Sequence, residues 1–387
     1  MKRRQFCIQL LKAGGAAMFA SLIKACSLPE GEVSIPTATT PTGTPATDRP
    51  TATPSSTPTT TPVPTVAATA SPTPTPTSVP TVSAVGRVAI IKTQDRIAGT
   101  RQVIELLGVK PAAGKDVLLK PNLNSADEAP GATNTEVLRE IIVMANEMGA
   151  RKITIADRSG MGNTTAVMEA KGLPDLAREF GLDLVAFDNL ADTDFAIITG
   201  DNFHWPNGFA VPKMLLDAEC VIQTCCLKTH AYGGQFTLSL KNAVGFVPGA
   251  PSGRSFAGNH NYMRDLHASS DMRLMIAEIN TAYEPALIVM DGVEAFVRGG
   301  PATGDRAQTD VMLASTDRVA IDAIGVAILR LFGTTPEVSK GPIFEQEQIA
   351  RAVELGLGVD NPEQIEIITG DAESESYAER IRQALSS

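Results

Sequence analysis

Apolar and polar positions along most of the chain follow two rhythms. Short runs rich in Val and Ile alternate with stretches in which apolar residues recur every three or four positions, the signatures of buried strands and amphipathic helices. The runs predict strands over Val88–Lys92, Val117–Lys120, Ile153–Ala156, Leu184–Phe187, Cys220–Cys226, Ala286–Met290, Val311–Ala314 and Gln364–Ile368. The helical pattern falls near Gln102–Leu107, Glu136–Met148, Thr165–Phe180, Met272–Ala282, Val319–Phe332, Phe344–Leu355 and Ser374–Leu385. Thr135 is the expected N-cap of the second helix, and Gly149 and Gly333 stand where a helix C-terminus favours glycine. Strands alternating with helices imply an α/β domain, with a mostly parallel sheet and helices on both faces.

The rhythm is absent upstream. Between Pro36 and Val82, 47 residues hold 12 of the 26 prolines and 18 threonines. Such a segment lacks the apolar side chains that offset ordering entropy, so a disordered Thr/Pro-rich linker is expected over 27–82, ahead of a folded domain at 83–387. At ~3.1 Å per residue an extended linker of this kind reaches on the order of 140 Å. Residues 1–26 read as an address. Lys2-Arg3-Arg4-Gln5-Phe6 precedes a weakly apolar stretch, Ala13 to Ile23, too short to cross a hydrocarbon core of ~30 Å. The paired arginines resemble a twin-arginine signal, which implies passage of a folded protein through the twin-arginine export machinery. Ile23-Lys24-Ala25-Cys26 resembles a lipobox with Cys26 as the lipidated residue. The expectation is an extracytoplasmic protein, lipid-anchored at the cell membrane through Cys26. A cleaved soluble signal or an uncleaved anchor is the alternative.

Formal net charge is −10, and Lys2, Arg3, Arg4, Lys12 and Lys24 supply five bases with no acid among the first 25 residues. The remainder is more acidic still, which disfavours nucleic acid or anionic lipid as a broad partner surface.

Polar clusters follow five predicted strands: Lys120-Pro121-Asn122, Asp157-Arg158-Ser159-Gly160, Lys228-Thr229-His230, Asp291-Gly292 and Ser315-Thr316-Asp317. In open parallel sheets the ligand crevice lies outside the carboxyl ends of the strands, so these clusters are expected to share one cleft. Segment Gln223–Gly249 is the densest. Gly233 and Gly234 let backbone amides approach an anion, and Lys228 and Lys241 supply point charges suited to phosphate or carboxylate. The plain alternative is two surface lysines flanking a turn. The sequence contains no GxxxxGK[ST], GxGxxG or GxSxG, so no P-loop, dinucleotide fingerprint or hydrolase elbow is indicated. His230 and Asp157 are candidate proton carriers, although Asp157 and Asp291 could equally cap helices or hold the lysines in place. A divalent metal would draw on His230, His260 and Asp291, whose spacing matches no compact ligand motif. His204-Trp205-Pro206 reads as an exposed loop. Cys220, Cys225 and Cys226 are too few for an iron–sulfur cluster and read as buried apolar thiols of one strand.

Several of these stretches occur in the order seen in DUF362 proteins. They are Leu119-Lys120-Pro121-Asn122-Leu123, Ala156-Asp157, Leu227-Lys228-Thr229-His230, Leu240-Lys241-Asn242-Ala243-Val244-Gly245, Met290-Asp291-Gly292 and Gly299-Gly300-Pro301. The resemblance spans Val88 to Gly358, and Lys-x-His followed by Lys-Asn-x-x-Gly is its most specific piece. It implies a site at Lys120, Asn122, Asp157, Lys228, His230, Lys241, Asn242 and Asp291, and assigns them no chemistry. Many relatives carry a ferredoxin-like iron–sulfur module that this chain lacks.

The resulting expectation is an envelope-tethered enzyme that binds a small anionic molecule. Lys120, Asn122, Gly233, Gly234, Lys241, Asn242 and Asp291 would bind it, while His230, Asp157 and Lys228 carry the chemistry. A solute-binding lipoprotein without catalysis and an envelope scaffold protein are the rival readings.

Overall fold

The computed structural model describes residues 85–249 and 261–386. The signal, Cys26, the linker and His260 lie outside the described residues.

Eleven strands follow in chain order: β1 (Gly86–Lys92), β2 (Asp116–Lys120), β3 (Lys152–Asp157), β4 (Asp183–Ala186), β5 (Phe195–Ile198), β6 (Phe209–Pro212), β7 (Cys220–His230), β8 (Gln235–Thr237), β9 (Leu287–Gly299), β10 (Gly304–Ser315) and β11 (Ile365–Thr369). The main sheet runs β11-β1-β10-β9-β7-β2-β3-β4, with β8 added to β7, and β5 and β6 form a separate pair. Within the main order only β10 runs antiparallel to its neighbours. The mostly parallel α/β architecture is therefore observed.

Alternate strand residues serve opposite layers, as the pleat requires. Ala89, Val117, Leu119, Ile153 and Ile155 pack under the helices Arg96–Leu107 and Thr135–Glu147. On the other face, Val88, Leu227, Met290 and Leu313 pack against the helices Arg318–Leu331 and Ala372–Leu385. Leu118, Ala156 and Val221 join Trp205 and the helix Met272–Ile279 in a third cluster. Trp205 is buried and donates to the Met275 carbonyl at 3.0 Å, so the expected exposed loop is instead anchored by its indole.

Local chemistry accounts for further departures. Asn134, not Thr135, caps the second helix, its carboxamide accepting from the amides of Glu136 and Val137. The single helix expected over Thr165–Phe180 is two, Thr164–Ala170 and Leu173–Phe180, broken at Gly172 in a left-handed conformation ahead of Pro174. Gly149 and Gly333 do adopt positive φ just past their helices. β9 and β10 extend well beyond their apolar runs as a hairpin. Its outer half alternates charged residues that read as loop, and Glu294 is tied across the strands to Arg306 and Gln308.

Direction matters most at β10. Because it runs backwards, Ser315-Thr316-Asp317 falls at the opposite edge of the sheet from the other polar clusters. Asp317 there caps the helix Arg318–Leu331 and accepts from the Val359 amide.

From β2 the chain proceeds outward to β3 and β4, and from neighbouring β7 it proceeds the other way, to β9 and β10. The connections leaving β2 and β7 cover opposite faces, which opens a crevice between their carboxyl ends. The tip of the β9–β10 hairpin closes one side of it, where the Ala231 amide donates to the Gly300 carbonyl at 3.3 Å. Gly300 has φ 75°, and a Cβ there would run into the Thr229 carbonyl oxygen. Gly114 has φ 66° but faces open space. Gly114→Ala is therefore expected to lower unfolding stability by about 1 kcal/mol and Gly300→Ala by about 3 kcal/mol or more, measured by urea denaturation. Equal losses would show that the hairpin tip is not fixed on β7.

Candidate functional site

At the crevice lies an inner cavity of about 60 Å³, lined by Lys120, Asn122, Arg158, Lys228, His230 and Lys241 among others. β2 ends on Lys120 and β3 on Asp157, and the Lys120 ammonium sits 2.6 Å from Asp157 Oδ1 with both side chains buried. Asp157 Oδ2 accepts from the Leu123 amide at 2.7 Å. Both carboxylate oxygens are thus engaged, and Asp157 serves as counter-ion to Lys120 and as anchor for the chain leaving β2. Phe246 lies beneath, its ring centre 5.2 Å from the Lys120 ammonium.

Asn242 joins the strand ends. Its Oδ1 accepts from Lys120 at 3.4 Å and from Asn122 Nδ2 at 3.3 Å, and its Nδ2 donates to the Thr224 carbonyl at 3.2 Å. β7 continues past the predicted Cys226 to His230, so Lys228 and His230 are strand residues on one face. Lys228 Nζ donates to the carbonyls of Gly131 at 2.5 Å and Pro301 at 3.1 Å, and to Asn122 Oδ1 at 3.4 Å. Arg158 donates to the carbonyls of Val247, Ser159 and Val244 and meets no carboxylate in hydrogen-bond range among the described residues. Lys241 is buried and its ammonium has no partner among the described residues.

Among the described lining residues, Lys120, Lys228, Lys241 and Arg158 thus bring four basic side chains to one buried place, against the single carboxylate of Asp157. Their burial shows in their proton affinities. Burial, reinforced by Lys228 and Arg158, pushes Lys241 down to about 8. Burial likewise lowers Lys120, opposed by Asp157, and lowers Lys228 and Arg158. His230 falls to about 2, through burial and then the charges of Lys241, Lys228 and His267. Its imidazole is neutral in this field, and its Nδ1 is buried without a partner.

The surrounding sequence makes this packing possible. A Cβ on Gly245 would lie 2.6 Å from Lys120 Nζ and collide with Asp157 Oδ1, so the Lys-Asn-x-x-Gly stretch needs glycine beside the buried pair. A Cβ on Gly234 would approach Lys241 Cε to 2.6 Å. Asp322, on the helix Arg318–Leu331, accepts from the amides of Ser239 at 2.7 Å and Leu240 at 3.0 Å, fixing the short helix Ser239–Asn242 that carries Lys241. Burial raises the Asp322 carboxyl to about 7.

A larger chamber of about 650 Å³ adjoins the inner cavity and shares Arg158, His230, Lys241 and Pro301 with it. Gly233, Tyr232, Met161, Met263 and Met272 contribute to its wall.

Other expected residues are not brought together. Asp291 lines neither cavity. It pairs with Cys226, four residues before His230 and roughly 13 Å short of it along the strand, and its carboxylate is held by Arg96 at 2.8 Å and by the Val293 amide. His267 reaches the outer chamber, with Nδ1 on the Met263 carbonyl, whereas His204 pairs with Glu278. Among the described residues no group of three or more His, Cys, Asp or Glu side chains is placed to hold a metal. Cys220, Cys225 and Cys226 are free and buried, and burial pushes the Cys226 thiol up to about 11. Two residues of the site are not singled out by the sequence. Arg158 stands in one of the polar clusters without a role of its own, and Asp322 is the one acid in a largely apolar helix.

The profile of a family described as a domain of unknown function, DUF362, matches residues 117–327, which include every inner-cavity residue named above. A thylakoid-associated protein of Synechocystis sp. is 30% identical over 264 residues, 64% of this chain and 75% of that one.

Lys241 folds with a proton affinity near 8 against an ordinary 10.5. Between those values the unfolded chain binds more protons, so stability rises with pH, by up to about 1.4 kcal/mol per unit from this group. Lys241→Met is expected to be more stable at pH 7 by about 1–3 kcal/mol and to flatten the rise between pH 8 and 10.5. Denaturation curves across that range test it. A variant less stable at pH 7, with a parallel pH profile, would show that the ammonium has a compensating partner.

Proposed function

The chain belongs to the DUF362 family, and from the charge of its sheet-end cavity we propose that it binds a small anion, phosphate or carboxylate, and acts on it as an enzyme. One observation carries this reading: among the described residues that line the cavity, Lys228, Lys241 and Arg158 face it, while the one lining carboxylate, Asp157, is taken by Lys120. Uncompensated charge in such a place opposes folding, and an anion entering the cavity offsets that penalty.

Lys241, whose ammonium is unengaged, makes the first contact, and Lys228 and Arg158 add a field fixed by their carbonyl partners. His230 is the proton carrier. A bound anion offsets the local positive potential and raises the proton affinities of both Lys241 and His230, so Lys241 takes up a proton as the ligand enters, and the imidazole can relay one during reaction. Asp157 holds Lys120 and does not move protons. A solute-binding protein that closes on a hinge needs two lobes, whereas the described strands around the cleft form one continuous nine-stranded sheet, which favours the enzyme.

We also propose that twin-arginine export and lipidation at Cys26 hold the domain at a membrane on its Thr/Pro-rich tether. The thylakoid association of the Synechocystis relative supports a membrane setting. No helix among the described residues is long and apolar enough to cross a bilayer.

Calorimetric titration of the full chain with inorganic phosphate and with acetate tests the anion site. Lys241→Met should weaken binding at least about tenfold while remaining folded. Lys228→Met should weaken binding and also lower stability, because the Gly131 and Pro301 carbonyls lose their donor. Titrations at pH 8–9 in buffers of different ionisation enthalpy should show net proton uptake. A folded wild-type chain that binds neither anion would refute the reading.

A further inference from the structure

Resting on the anion-binding reading, we infer that the ligand is a phosphate monoester with a compact apolar or aromatic body: its phosphoryl group occupies the inner cavity and its body the outer chamber. Charge selects the head group. Among the described residues that line the inner cavity, four basic side chains stand against one carboxylate, an excess that a phosphate dianion offsets more fully than a monocarboxylate does. Size agrees. A water needs roughly 10–15 Å³ of such space, so about 60 Å³ accommodates the oxygens of one phosphoryl group and excludes a second one or a sugar ring.

The body follows from the neighbouring chamber. The two cavities share Arg158, His230, Lys241 and Pro301, so a single molecule can fill both. His230 lines each, with its unpartnered Nδ1, and so stands at the junction where the ester oxygen lies. Beyond it the wall gains Met161, Tyr232, Met263 and Met272, beside His267 and Arg273. Thioethers adapt to an apolar guest of irregular shape, and an aromatic ring stacks on one. Met161 and Tyr232 are 55% and 62% exposed, two of the six exposed large hydrophobic residues among those described, and both belong to this chamber. Large apolar side chains gathered at the mouth of a cationic pocket suit a ligand that is charged at one end and apolar at the other.

Titration of the full chain with inorganic phosphate, phenyl phosphate and benzoate tests the assignment. Phenyl phosphate should bind at least about tenfold more tightly than inorganic phosphate, and more tightly than benzoate. Met161→Ser and Tyr232→Ser, both at exposed positions, should each reduce that advantage several-fold and leave inorganic phosphate binding unchanged. If phosphate binds but the phenyl group adds nothing, this inference fails and the anion site stands. If no anion binds, the anion site itself fails. Co-sedimentation with phosphatidylcholine vesicles containing phosphatidic acid separates a soluble ester from a lipid head group: capture there, without tighter binding of phenyl phosphate, would overturn the inference in favour of a membrane surface.

Discussion

Burying positive charge at the carboxyl ends of β2, β3 and β7 is the constraint around which the rest of the cleft is arranged. A buried ammonium or guanidinium is tolerable only with a counter-ion or a full set of acceptors. The four cations meet that demand in three ways. Lys120 has the carboxylate of Asp157, Arg158 and Lys228 have backbone carbonyls, and Lys241 has no partner among the described residues. The gradation separates function from scaffold, because the side chain left unsatisfied is the one best placed to receive something from outside.

The carbonyl partners also explain why distant loops converge. Lys228 draws in Gly131, from the connection after β2, and Pro301, from the hairpin between β9 and β10. Arg158 draws in Val244 and Val247, next to the helix that carries Lys241. Each bond spans a long sequence separation, so the cleft forms only when the sheet has assembled. Glycine permits close approach at 245, beside Lys120 and Asp157, and at 300, against the Thr229 carbonyl, and Asp322 fixes the Lys241 turn from the opposite helix layer. A helix otherwise packed as apolar core thus reaches the site through one carboxylate.

On the proposed reading the two chambers divide the physical work of recognition. The inner one is small, polar and lined by basic side chains, whereas the outer one is roomier and adds methionines and a tyrosine beside His267 and Arg273. His230, neutral through burial and the nearby charges of Lys241 and Lys228, lines both chambers. On the proposed reading, binding and proton uptake are one event, and the site suits acid–base chemistry on an anion better than passive retention.

Much of this was legible in the sequence, for a physical reason. Strands buried on both faces must be continuously apolar, so β1, β2 and β3 stood out as short apolar runs, and the polar residues after β2 and β3 marked the sheet end. Strand direction and register were not legible, because they depend on partners far away in the chain. The reversal of β10 sends Ser315-Thr316-Asp317 to the wrong edge, and the pairing of Cys226 with Asp291 leaves that aspartate short of the cleft and bound to Arg96. The hairpin arms of β9 and β10 were hidden because their buried Ala295, Phe296 and Val297 are interspersed with charged and polar residues that pair across the strands. Residue types alone placed Lys120, Asn122, Lys228, His230, Lys241 and Asn242 in one region. Which of them is neutralised, which is anchored and which is left open was decided only by tertiary packing, since a buried charge is defined by the atoms that surround it.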